Sequence, residues 1–127
     1  MLNLDTHVFL FAISGELTAK ERRLLSSTPW SVSAIVLWEI AKPASLGRID
    51  VDLDTPAVAA ALRQTTIWPL TPAICGASVR LDVRSDPADE IIGATSVVQR
   101  KVQAKHFSRD GGTARQVRRG RSDCRAR

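Results

Sequence analysis

Cysteine and histidine are scarce in this chain. It carries only Cys75 and Cys124, far apart, and two histidines, with no pair at metal-ligand spacing. That excludes a zinc module and a disulfide framework and suits a reducing, cytoplasmic setting. No stretch approaches the roughly 18 uninterrupted apolar residues that a membrane-crossing helix needs. The first residues, Met-Leu-Asn-Leu-Asp, lack a basic region, and Asp5 interrupts the apolar run, so a secretory signal is not expected there. Internal repeats are absent. Basic charge is also scarce over most of the length: residues 1–98 hold 8 Lys and Arg against 11 Asp and Glu, a net of −3.

What is present is one domain's worth of chain, 127 residues of which 44% are apolar, which excludes wholesale disorder. The overall charge of +5 comes from the end, because residues 99–127 hold 10 Lys and Arg against 2 Asp, a net of +8. Apolar residues follow the same division, 49 of the first 98 and 7 of the last 29. The compact part over 1–98 is therefore mildly acidic, and the domain over 1–110 precedes a basic tail over 111–127 that can build little core and reads as disordered.

Short apolar runs alternate with helical patterns. Leu2–Asp5 reads as a first strand, and Val8–Ile13 as a helix ended by Gly15. Leu17–Ser26 is an amphipathic helix, and Trp30–Ser33 a second strand. Ser33–Ser45 is so apolar that, as a helix, it must be well buried, with Pro43 kinking or ending it. Ile49–Leu53 is an extended connector. Thr55-Pro56, Thr71-Pro72 and Asp86-Pro87 each pair a capping residue with proline at the first helical position. They predict helices to about Gln64, Leu81 and Val98, with a third strand at Ile67–Leu70 between the first two. This order predicts βαβ units and a parallel sheet.

The chemistry rests on acids in costly places. Asp5 ends an apolar strand, where α/β sheets bind ligands, or else caps the helix after it. Glu39 lies inside apolar Ala34–Ala41 and must be paired, protonated or metal-bound, unless it shares a solvent stripe with Lys42. Asp86 is a good helix cap, and Asp89 either joins the other acids or faces the helix dipole. No residue is well placed as a His or Ser nucleophile, and His7 more readily orders the first helix or contacts substrate than acts as a base.

LDTHVFLFAISG, VSAIVLWEIAKPASLGRI, WPLTP and RSDPADEIIGATSVV, in that order and spacing, resemble the PIN domain. More closely, they look like the VapC-type toxins of type II toxin–antitoxin systems, over residues 1–98. The resemblance implies a three-layer α/β/α domain with a small central parallel sheet. It implies a metal-dependent endoribonuclease, neutralised by a cognate antitoxin protein and working as a homodimer. Position by position, Asp5, Glu39 and Asp89 match the family's first three acids, which would bind Mg²⁺ or Mn²⁺. Oxygen-only ligands suit those ions, which relieve the repulsion between clustered carboxylates. Thr6, Ser33 and Asp86 match supporting residues beside them.

After the third acid's helix the family continues with a short strand ending in Thr-x-Asp. Here Ser108-Arg109-Asp110 stands in that place, with Asp110 as the fourth catalytic acid, after a poor strand at Val102–Ser108. Two readings of the tail stay open. One is a basic segment that attracts RNA. The other is out-of-frame sequence after Val98, which would leave the last strand missing and the protein a truncated, non-catalytic remnant that still binds antitoxin or RNA.

Overall fold

The computed structural model describes residues 1–82 and 84–109, with side chains through Arg100. Among these, three strands and six helices run in the order β1 (Leu2–Leu4), α1 (Thr6–Ser14), α2 (Ala19–Ser26), β2 (Trp30–Ser33), α3 (Ala34–Ser45), α4 (Pro56–Arg63), β3 (Thr66–Trp68), α5 (Pro72–Ser78) and α6 (Pro87–Arg109). The strands form one parallel sheet in the order β1-β2-β3, with Leu4 beside Val32 and Val32 beside Ile67. Parallel neighbours need helical crossovers, which α1 and α2 supply first and α3 and α4 second. The result is the expected α/β fold with a small central parallel sheet.

Capping chemistry sets most helix ends. Asp5 accepts the Val8 N–H at 2.8 Å to start α1. Gly15 ends it with φ 75°, the left-handed turn that glycine adopts without a Cβ penalty. Thr18 and Glu21 form a reciprocal capping box at α2. Thr55 and Thr71 cap α4 and α5 ahead of proline, as their sequences predict. Asp86 accepts the Ala88 N–H at 3.0 Å at the start of α6.

Alternation along the strands gives the sheet two different faces. Leu4 and Val32 pack into a core with Phe9, Leu25, Val36 and Ile40. The opposite face carries Asn3, Ser31 and Ser33. Asn3 Nδ2 donates to Ile92 O at 3.3 Å and to Ser96 Oγ at 2.8 Å, which docks α6 on β1. Ser31 Oγ in turn donates to Leu2 O at 3.3 Å. Small polar side chains there let α6 lie close to the strands.

Several expectations need correction. The weak strand at Val102–Ser108 is absent, because α6 continues helical to Arg109. From Ala94 to Arg109 the chain has no glycine or proline and is rich in Gln, Lys, Arg and Ala, all good helix formers. β3 lies at Thr66–Trp68 rather than Ile67–Leu70, since Pro69 has no N–H for the ladder. α5 stops at Ser78, short of Leu81. Pro43 sits inside α3, close enough to its end that two more residues stay helical. Helix α3 is also less buried than its composition predicts: Val36 and Ile40 are fully buried, yet Trp38 is 60% exposed. Asp110 and the basic tail over 111–127 lie outside the described residues.

Candidate active site

In a parallel sheet every strand delivers its C-terminal end to the same edge. Here β1 ends at Leu4, so Asp5 is the first residue past that edge. β2 ends at Ser33, and α3 rises directly from it. Thr6, the first residue of α1, donates its Oγ1 hydrogen to Glu39 Oε2 in the second turn of α3. That contact spans 33 positions in sequence and joins the segment holding Asp5 to the helix holding Glu39. Glu39 is half-buried and bonds Thr6 rather than the nearby Lys42. Asp5 is exposed; one oxygen, Oδ1, caps α1.

Ser33 completes this corner of the molecule in an unusual way. It is fully buried, and its Oγ has no hydrogen-bond partner among the described residues. It occupies the N-cap position of α3 but makes no side-chain capping bond. A buried hydroxyl without a partner costs stability.

The other predicted acids make their own contacts at the start of α6. Asp86 serves as the cap of α6. Asp89 is exposed on the first turn of α6, where its Oδ2 accepts from Ser85 Oγ at 3.1 Å. It lines a cavity of about 360 Å³ with Leu81, Asp82, Glu90 and Gly93, and neither Asp5 nor Glu39 is among the residues lining it. Among the described residues, no three His, Cys, Asp or Glu side chains converge closely enough to hold a metal. The structure thus brings Asp5, Thr6, Ser33 and Glu39 to one edge, while Asp89 is held by Ser85 at the start of α6. Sequence reasoning passed over two features: the bond from Ser85 N–H to Glu90 Oε1, 3.1 Å, beside Asp89, and the exposure of Trp38 next to Glu39. The helical spacing of α3 carries a signal for the second, because Trp38 falls outside the stripe of Val36 and Ile40.

The family model for the PIN domain matches residues 3–118, from β1 to beyond α6. The chain belongs to the PIN domain family. No curated protein and no solved structure matched it. PIN domains are generally nucleases, often toxins, and generally use divalent metal ions. Donor chemistry decides whether the residues of this PIN domain suit such an ion. Mg²⁺ commonly binds through one or two carboxylates, with water and substrate phosphate filling the remaining positions. Asp5 and Glu39 supply two hard carboxylates. The set fits a hard divalent cation that keeps much of its hydration. No helix among the described residues is long and apolar enough to cross a membrane.

Proposed function

We propose that this PIN domain is a divalent-metal-dependent endoribonuclease of the VapC type, the toxin of a toxin–antitoxin pair. The single observation that carries the reading is the Thr6–Glu39 hydrogen bond, which links the acid after β1 to the acid on α3. In this reading Asp5 and Glu39 hold Mg²⁺ or Mn²⁺. When bound, the ion supplies polarisation of the phosphodiester and a more acidic attacking water.

The side chains do the positioning. Thr6 fixes one oxygen of Glu39 and leaves the other free as an acceptor. The cap from Asp5 Oδ1 to Val8 N–H fixes the rotamer of that carboxylate and leaves Oδ2 available. Asp89 acts as the third acid once Ser85 releases it. The same reading makes RNA the substrate, an antitoxin protein the inhibitor, a second copy the dimer partner and the cytoplasm the site of action.

A second reading has its own support. Among the described residues no three acids converge, and α6 stays helical where the family pattern calls for a strand. Both observations suit a remnant that keeps the fold and binds RNA or antitoxin without cutting. Incubating purified protein with structured RNA in Mg²⁺, Mn²⁺ or EDTA separates the two. Cleavage that requires the cation supports the nuclease, whereas RNA binding without cleavage in either cation supports the remnant.

A further inference from the structure

Helix α3 places more than an acid at the sheet edge. Successive residues of a helix turn by about 100°. With Glu39 at the origin, Val36 and Ile40 fall at roughly +60° and +100°, and both are fully buried. Trp38 and Lys42 fall on the other side, at roughly −100° and −60°, and both are exposed. Glu39 therefore stands on the boundary between the buried stripe and an exposed stripe made of an indole and an ammonium. Trp38 is 60% exposed, an indole left in water immediately beside the candidate site.

We infer that Trp38 and Lys42 form a platform that holds single-stranded RNA against the Asp5–Glu39 edge. The indole face stacks on an unpaired base, and the ammonium meets the neighbouring phosphate. Stacking on an aromatic residue together with a nearby cation is how proteins hold single strands without reading sequence. Charge complementarity favours this occupant. On the exposed side of α3 Lys42 stands one turn from Trp38, so an ammonium and an indole share that face. The inference rests on the nuclease reading for its choice of RNA but not for its test.

The test measures anisotropy of a fluorescein-labelled, mixed-sequence single-stranded RNA in EDTA, where binding is read without cleavage. Trp38→Ala weakens binding about tenfold, within the range for loss of one stacked base. Trp38→Phe, which keeps a ring face, loses less than about threefold. Lys42→Ala lowers the salt slope by about 0.7, the value for one phosphate on a single strand. Circular dichroism of each variant matches wild type, because both side chains are exposed. The inference is overturned if Trp38→Ala binds as tightly as wild type, or if wild type binds no RNA. It is also overturned if Trp38→Ala changes only the sedimentation of a dimer, which would give this face to a second copy. Trp38-dependent binding with no cleavage in any cation removes the nuclease reading and leaves this one standing; cleavage with Trp38-independent binding does the reverse.

Discussion

Replacing Ser33 by Ala should make this protein more stable and a poorer enzyme. The Ser33 side chain is fully buried, and its Oγ has no partner among the described residues. Burying an unsatisfied hydroxyl costs about 1–3 kcal/mol. Alanine removes that cost and leaves a void of one oxygen, roughly 10 Å³, worth about 0.2 kcal/mol at the usual cavity coefficient. The ordinary penalty for deleting a helix cap, about 0.5–2 kcal/mol, does not apply, because Ser33 makes no capping bond to α3. The net expectation is a gain of about 1 kcal/mol, or several degrees in Tm for a chain of this size. Urea unfolding followed by circular dichroism measures it, and an unchanged m-value shows that the native and unfolded states are otherwise the same. Cleavage should fall by about tenfold or more if the hydroxyl supports the site, the usual effect of losing a supporting group at a metal centre. Destabilisation by 1 kcal/mol would show that Oγ has a partner and refute the reasoning.

Other substitutions probe the same elements. Asp5→Asn should leave Tm unchanged, because asparagine caps helices as well as aspartate, while Asp5→Ala loses about 1 kcal/mol with the bond to Val8 N–H; equal Tm losses would remove the capping role. Gly15→Ala should cost about 1–2 kcal/mol from the left-handed backbone alone, since a Cβ there meets nothing within 4 Å. At the start of α2, the bonds from the Thr18 hydroxyl and then the Thr18 N–H hold the Glu21 carboxyl below its ordinary value. A lowered carboxyl pKa contributes stability that is present above the unfolded value and lost as pH falls through the folded one, so the capping box weakens below about pH 4. An NMR titration should show the Glu21 midpoint rising in Thr18→Ala, and an unmoved midpoint would contradict the capping box.

Much of the architecture was readable because local chemistry determines it. Thr55-Pro56, Thr71-Pro72 and Asp86-Pro87 start helices by capping and by the fixed φ of proline, and neither depends on the rest of the fold. The turn at Gly15 is equally local. Misreadings came where tertiary context decides. Val102–Ser108 has too few apolar residues to favour a strand, and the good helix formers Gln103, Ala104 and Lys105 within it favour extending the helix before them. The apolar run of α3 implied burial all round, but a two-sided helix leaves Trp38 in water. The candidate site divides in the same way. Asp5 and Glu39 were legible as acids at a strand end and in an apolar helix. The Thr6–Glu39 bond needs the sheet register to exist, and the Ser85 hydroxyl that holds Asp89 acts through side-chain geometry that spacing does not encode.

The nuclease activity proposed for this PIN domain rests on the two carboxylates at the sheet edge. The direct measurement compares cation-dependent RNA cleavage by wild type, Asp5→Asn and Glu39→Gln, each checked for an unchanged melting temperature. Asparagine still caps α1 and glutamine still accepts from Thr6, so both variants keep the fold and lose only a negative charge. The account predicts cleavage by wild type in Mg²⁺ or Mn²⁺ and loss of at least about a hundredfold in each variant, on the scale of two or more kcal/mol of transition-state stabilisation. Cleavage that survives both substitutions would contradict it.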